Sequence, residues 1–397
     1  MMGHAAHDLR QTVQGVFLKS LKLANFRSYD AANMCLSSQK PLVVLQGANG
    51  AGKTNILEAI SYLAPGRGLR GASLADVNKR GATAPWAVAA IIEQGGEDIR
   101  VGTGIDPDGN DTTGNNSRRI VRLNGETIAS SSILAHRWSL SWLTPQMDRL
   151  FLEGASSRRR FLDRLVMGLY PDHSRQVGAY ERLMRDRNRL LTDQGLQADP
   201  AWLTALEARM AEHAVAVASC RLDFAGQLAG QLQNRPTGPF PAAQLAIDGW
   251  LEEMLAGGTA PVDAEAALTE KLRTDRAQDA RAGRTKSGVH KTDLLVTHTG
   301  KAMPAGLCST GEQKALLIAL VLANARLLAA QKRQAPLMLL DEVAAHLDQT
   351  RRAALFDELT SLGGQCWLTG TDKALFQGTD GAAEFFNVAD GEIRPAM

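Results

Sequence analysis

Hydrophobic positions along the chain change character twice. Residues 16–23 alternate, with Phe17, Leu18, Leu21 and Leu23 apolar around Lys19, Ser20 and Lys22, and predict an edge strand. Residues 32–46 carry a second strand. It ends in the unbroken run Leu42, Val43, Val44, Leu45, the pattern of a strand buried on both faces. Ile56, Leu57, Ala59, Ile60 and Leu63 then recur at helical spacing. Residues 86–93, 97–105 and 119–123 predict strands, with a hairpin loop over the Gly-, Asp- and Asn-rich residues 106–116 and a turn at Asn124-Gly125.

From Ser156 to about Asn234 the period is helical. Leu203, Leu206, Met210, His213, Val217, Cys220 and Phe224 fall at alternating steps of three and four, an a/d seam of about three heptads. Tyr180, Leu183, Leu190 and Leu191 mark a preceding helix across the turn-rich residues 193–200, so the pair predicts a short antiparallel helical arm. His213 on the seam reads as a packing residue. Prolines at 236–241 end the arm, and a strand at 244–247 and a helix at 263–282 follow. The last third returns to alternating strands and helices. It holds an uninterrupted apolar helix at 315–330, a buried strand ending in Asp341-Glu342, a helix at 350–361 and a strand at 365–369.

Composition adds limits. The 397 residues suit two or three domains, and 44% hydrophobic with 22% charged residues is ordinary for a globular chain. A net charge of +2 excludes a polycationic nucleic-acid binder, so any DNA contact must come from local patches. The four cysteines are scattered without a CxxC pair, which argues against zinc and for a reducing compartment. Residues 1–15 show no signal-peptide core and predict a disordered extension. No stretch reads as 18 consecutive apolar residues, so no membrane span is expected.

Three motifs carry the chemistry. Gly47-Ala48-Asn49-Gly50-Ala51-Gly52-Lys53-Thr54, between an apolar strand and a helix, has the spacing of a phosphate-binding loop. Its glycines let backbone N–H groups turn toward an anion at the helix N-terminus. Lys53 would reach the β- and γ-phosphates of ATP, and Thr54 would hold Mg²⁺. Asp341-Glu342 at a strand end would deliver one carboxylate to support Mg²⁺ and one to orient or deprotonate the attacking water. Ser309-Thr310-Gly311-Glu312-Gln313-Lys314 opens a helix 30 residues before Asp341, counted from Gly311. It reads either as an anion-binding helix start or as a plain capping box.

These spacings resemble the ABC-type ATPase head: Walker A, signature, Walker B and a D-loop at Ala345-His346-Leu347-Asp348. About 250 residues, including the arm, separate Walker A from the signature, far more than in transporter heads, while SMC arms are far longer. With Asn25-Phe26-Arg27-Ser28-Tyr29, Asn55-Ile56-Leu57-Glu58-Ala59-Ile60 after the loop, Gly66-Arg67-Gly68-Leu69-Arg70, Arg158-Arg159-Arg160-Phe161-Leu162-Asp163, Arg284-Thr285 and Thr369-Gly370-Thr371-Asp372, the chain resembles the RecF family of bacterial DNA replication and repair proteins. Gly288-Val289-His290-Lys291-Thr292-Asp293 stands where that family usually has Gly-Pro-His-Arg-Asp-Asp.

The resemblance implies an α/β, ABC-type head with a P-loop and mixed sheet, split by an inserted helical arm: head at 16–155 and 284–397, arm at 156–283. It implies ATP and Mg²⁺ as ligands, with Gly47 to Asn55 on ATP. Arg27 would either join them on ATP or form a structural ion pair. Thr54, Asp341 and Gln146, the last in Q-loop position, would serve Mg²⁺. Ser309, Gly311 and Gln313 would cap the nucleotide of a second copy, so ATP would drive homodimerisation. Double-stranded and gapped DNA, RecO and RecR, and indirectly RecA, are the implied partners of a slow cytoplasmic, nucleoid-associated ATPase. Arg67, Arg70, Lys79, Arg80 and Arg158, Arg159 and Arg160 are the candidate phosphate contacts, each also readable as solvated surface. A transporter ATPase subunit and an SMC-like head with a structural role are the alternatives.

Overall fold

In a computed structural model, residues 13–36, 39–106, 118–234 and 238–396 are described. Residues 1–12 of the expected extension, 107–116 of the expected hairpin loop and 235–237 at the arm's end lie outside them. Position 14 is tied down: Gln14 N donates to Arg333 O at 3.0 Å, and Ala335 N donates to Gln14 O at 3.0 Å.

The chain forms two compact units, residues 1–142 with 325–397 and residues 143–324. The first begins with β1 (Val16–Phe26), β2 (Tyr29–Cys35), β3 (Leu42–Gln46), α1 (Lys53–Ser61), β4 (Ala87–Gln94), β5 (Glu97–Ile105), β6 (Arg119–Leu123), β7 (Glu126–Thr127), α2 (Ile133–Arg137) and β8 (Leu140–Leu143). The second holds α3 (Ala155–Leu169), α4 (His173–Gln194), α5 (Pro200–Gln233), β9 (Ala243–Asp248), α6 (Trp250–Ala256), α7 (Pro261–Thr274), α8 (Arg276–Ala282), β10 (Asp293–His298) and β11 (Met303–Pro304). After α9 (Thr310–Lys332) the first unit resumes with β12 (Leu337–Leu340), α10 (Gln349–Ser361), β13 (Cys366–Gly370), β14 (Ala383–Ala389) and β15 (Glu392–Pro395).

The first unit has two sheets. One is antiparallel, in the order β2-β1-β4-β5-β6-β7. Its strands alternate as a half-buried sheet should: Leu21 and Leu23 are buried, whereas Lys22 and Ala24 are exposed. The other is mixed, in the order β15-β14-β3-β13-β12-β8, with β14, β3, β13 and β12 parallel. Leu42, Val43, Val44 and Leu45 of β3 are fully buried, because neighbours pair on both edges and side chains pack on both faces. Gln365 ties the two sheets together. Its Oε1 accepts from Leu18 N and Trp367 Nε1, both at 2.9 Å, and its Nε2 donates to Leu18 O at 3.3 Å.

The second unit extends past the expected arm on both sides. It takes in a three-stranded sheet, β11-β10-β9, and the segment leading into α9. Its helices pack through α5, where Met210, Ala214, Val217 and Ala218 join Tyr180, Leu268 and Val289 in one core cluster. Of the expected seam, Leu203, Met210, Val217 and Phe224 are buried. His213 and Cys220 are half-buried, and His213 Nδ1 lies 2.6 Å from Gln176 Oε1. Small residues such as Ala211 widen the stripe beyond two positions per heptad, the arrangement of a globular core rather than a coiled-coil seam.

Among the described residues, one helix is long and apolar enough by length and composition to cross a membrane: α9, with 89% of its most apolar window buried in the fold. Its apolarity is used in the core, since nearly every position from Ala315 to Leu328 is buried.

Candidate nucleotide site

The loop between β3 and α1 has its shape forced at two glycines. Gly50 (φ 81°) and Gly52 (φ 106°) lie in the left-handed region that side chains rarely adopt. Space is short as well: a Cβ at Gly47 would sit 2.2 Å from the Val388 carbonyl oxygen, and one at Gly52 2.6 Å from the Tyr29 hydroxyl. Tyr29 OH donates to Gly52 O at 3.2 Å, and Asn55 Nδ2 donates to Ser28 Oγ at 2.9 Å. Thus the β1–β2 hairpin braces the loop from below while Ala48, Asn49 and Gly50 stay exposed at its crest and Ala51 is half-buried.

Lys53 is 4% exposed. Its Nζ donates to Gly47 O at 2.7 Å and Ala48 O at 2.8 Å. An ammonium has three donors, so one is left for a further acceptor. Burial lowers its pKa, against the pull of Glu342 and Asp341. A buried cation that rests on carbonyls is a site suited to an anion.

The carboxylates arrive on β12. Thr54 Oγ1 lies 3.0 Å from both Asp341 oxygens, and Thr369 Oγ1 donates to Asp341 Oδ1 at 2.8 Å. Burial raises the Asp341 pKa, opposed by these two hydroxyl donors. Glu342 adopts φ 52°, and its N–H donates to Thr369 Oγ1 at 2.9 Å. A hydroxyl and a carboxylate this close, beside the lysine of a glycine loop, fit Mg²⁺·ATP. Thr369 opens the Thr369-Gly370-Thr371-Asp372 motif, which by itself does not say what the hydroxyl touches. The register could have found it: Leu340 pairs with Leu368 across β12 and β13, so the next residues, Asp341 and Thr369, are neighbours.

Arg27, at φ 54° in the β1–β2 turn, spends its guanidinium on Glu58. Nε and Nη2 reach the two carboxylate oxygens at 2.8 and 2.5 Å, and Nη1 donates to Asp76 O at 2.7 Å. Arg70 Nη1 adds 2.7 Å to Glu58 Oε2 and 2.9 Å to Asn55 Oδ1. Glu58 is fully buried in α1, so its charge needs both arginines. A lone acid inside the run Ile56, Leu57, Ala59, Ile60 was the available signal.

Residues 17–394 match the family model of the RecF/RecN/SMC N terminal domain. The DNA replication and repair protein RecF of Rhizobium johnstonii is 46% identical over 379 residues, 95% of this chain and 98% of its own length. That of Caulobacter vibrioides is 48% identical over 386 residues, covering 95% and 97%. The chain belongs to the RecF family. Among solved structures, the recombination mediator protein RecF of the RecFOR pathway, as RecF-ATPrS, superposes with a TM-score of 0.82 over 97% of this chain and all of its own, at 19% identity. The Smc head domain of Pyrococcus furiosus with an extended coiled coil gives 0.50 at 17% identity, covering 96% of each. The fold is therefore the α/β, ABC-type ATPase head shared by RecF and SMC proteins.

Other RecF-family motifs lie in the second unit. Gln146 is exposed in the turn Pro145–Arg149. Ser309 precedes α9, and its N–H and hydroxyl donate to Glu312 Oε2 at 3.0 and 2.9 Å. Lys301 lies 2.5 Å from Glu312 Oε1 and, with Ser309, holds that carboxyl down at about 2. This is the carboxylate half of a capping box, so the capping reading of the motif is realised. Ser309 and Gly311 remain exposed; Gln313 is buried and donates to Cys308 O at 2.8 Å. Gly288 (φ 130°) has no room for a side chain, because a Cβ would meet Tyr180 OH at 2.2 Å. Val289 is buried and its carbonyl accepts from Arg221 at 2.8 Å, while Thr292 Oγ1 donates to Glu252 at 2.6 Å.

The candidate phosphate contacts divide by environment. Arg67 is exposed, on a turn that Arg119 fixes by donating to the Tyr62, Ala64 and Gly66 carbonyls. Arg70 serves Glu58, as above. Lys79 pairs with Asp30. Arg158 forks onto Asp293 at 2.8 and 2.6 Å, and Arg159 Nη1 donates to Thr292 O at 2.8 Å. Arg160, exposed, donates to Ser157 Oγ at 2.9 Å.

Proposed function

We propose that this chain is an ATP-dependent DNA-binding protein of replication and repair. The observation that carries the reading is the cluster of Lys53, Thr54, Asp341 and Thr369 at a strained glycine loop, in a chain 46–48% identical to proteins named for DNA replication and repair. Lys53 and the loop N–H groups bind the ATP phosphates, and Thr54 and Asp341 are the residues that would hold Mg²⁺, whose charge would offset that of the phosphates. Glu342 orients water for attack on the γ-phosphorus. The bond to the leaving oxygen breaks, giving ADP and phosphate. In the solved relatives, RecF is placed with ATP and in the RecFOR pathway. By extension, Ser309 and Gly311 cap the nucleotide of a second copy, and the ATP-bound dimer sits on duplex DNA near single-strand gaps in the cytoplasm. There it works with RecO and RecR toward RecA loading, and slow hydrolysis releases it.

The test is the solution mass of Glu342→Gln with ATP and Mg²⁺, with and without a gapped duplex. Doubling of mass with ATP, and salt-sensitive retention of DNA by the dimer, are expected. A monomer that still binds ATP overturns the two-head mechanism.

A further inference from the structure

We propose that the outer face of the antiparallel sheet is a contact surface for the phosphates of duplex DNA; this rests on the DNA-binding reading above. The strand register sets Lys22, Ala89, Gly102 and Arg122 in one row across β1, β4, β5 and β6, since Lys22 pairs with Ala89, Ala89 with Gly102 and Gly102 with Arg122. All four face outward, opposite the buried Leu21, Ala90, Val101 and Val121. Arg100 stands two residues from Gly102 on the same face, diagonal to Arg122.

Lys22, Arg100 and Arg122 are exposed, and none of the three is in an ion pair among the described residues. Of the carboxylates toward the strand ends, Lys19 holds Asp98, Lys79 holds Asp30, Glu93 accepts from Gln39 and Gly96 N, and Asp106 lies at the β5 end with a partner of its own; Glu97 and Glu126 are exposed but alternate to the opposite face of β5 and β7. Diagonal like charges on a sheet repel unless an anion lies between them. Between the cations the surface is low, because Ala87, Ala89 and Gly102 carry almost no side chain. A broad polyanion can therefore approach the backbone. Three strand spacings put Lys22 and Arg122 about 14 Å apart, near the roughly 12 Å width of a major groove. That span matches phosphates on the two strands of one duplex. No aromatic side chain stands among these rows for a base to stack on, which favours backbone contact over single-strand binding.

The experiment titrates a labelled gapped duplex by anisotropy at several salt concentrations, with ATP present. The triple variant Lys22→Ala, Arg100→Ala, Arg122→Ala is expected to bind more weakly. Its slope of log affinity against log salt should shrink by about 0.9 per lost contact, about 2.7 for all three. ATP binding and the unfolding midpoint should match wild type, because the three side chains are exposed and remote from the glycine loop in pairing. The charge-keeping variant Lys22→Arg, Arg100→Lys, Arg122→Lys should retain the wild-type slope. A triple alanine variant with the wild-type slope overturns the surface and leaves the DNA reading standing. A wild-type chain with no salt-dependent duplex affinity overturns both.

Discussion

Two of the regions that bury charge treat it differently. In the helices of the second unit, Arg187 is fully buried. It donates to Glu207 at 3.0 Å, to Asp279 at 2.7 Å, to Thr285 Oγ1 at 2.8 Å and to Leu272 O at 2.7 Å. Glu207 also takes Arg276, and Asp279 accepts from Lys286 N at 3.0 Å. Every charge there meets its opposite. At the glycine loop, Lys53 rests on two carbonyls and Asp341 on two hydroxyls, and burial displaces both pKa values toward the neutral forms. The first arrangement is complete in itself, while the second is left for a ligand to complete. Buried charge alone does not mark a functional site; a partner made only of neutral dipoles does.

The contrast can be broken at its strongest point first. Arg187→Ala should cost about 3–5 kcal/mol of stability, because Asp279 loses its counter-charge in the core and Glu207 keeps only Arg276. Denaturant unfolding would show it, and a loss under about 1 kcal/mol would mean the network is slack. Lys53→Ala should behave oppositely. The unfolding midpoint should hold, while ATP affinity falls by about 1.5–3 kcal/mol, the worth of a charge-assisted contact. Isothermal titration separates the two. A smaller effect, about 1–3 kcal/mol, is expected for Thr369→Val, which leaves the Glu342 N–H without its acceptor and Asp341 with one donor fewer. Hydrolysis should suffer more than ATP binding, and Thr369→Ser should restore it.

A different lever is pH. His290 donates from Nε2 to Thr285 O at 3.0 Å and accepts from Tyr180 OH at Nδ1, 2.7 Å away, so the neutral ring fits. Burial drops its pKa from 6.5 to about 4. The unfolded chain therefore holds more protons between those values. Stability is complete above pH 6.5 and falls as pH drops from 6.5 toward 4. Melting curves over that range should flatten in His290→Gln; an unchanged slope would place the proton elsewhere.

The strands and the loop were legible because local physics writes them locally. The run Leu42 to Leu45 and the alternation at 16–23 follow from burial on two faces or one. The glycine loop announces itself because only that residue type tolerates its backbone. The second unit's small sheet was half hidden. β9 reads as a strand, but β10 closes on it from about 50 residues away, and the two-residue β11 pairs only with β10. α9 is buried all round, so its sequence matches a membrane span as well as a core helix. Glu58 and Thr369 were legible only in part: both lie in motifs of the sequence, but their partners, Arg27 and Arg70 for Glu58 and Asp341 for Thr369, are set beside them only by folding.

By itself, then, the sequence determined the strand–loop–helix, the pair of carboxylates at the end of β12 and the presence of a helical insertion, since each is a contiguous pattern with its own period or turn chemistry. Only the tertiary structure decided which cations are occupied and which are free. Arg158 and Arg159 are adjacent in the chain and read as a basic patch, yet both are engaged by residues more than 130 positions away. Lys22, Arg100 and Arg122 are scattered in the chain, yet strand register gathers them on one face. Pairing between charges depends on distance across the fold, and no local periodicity encodes that distance.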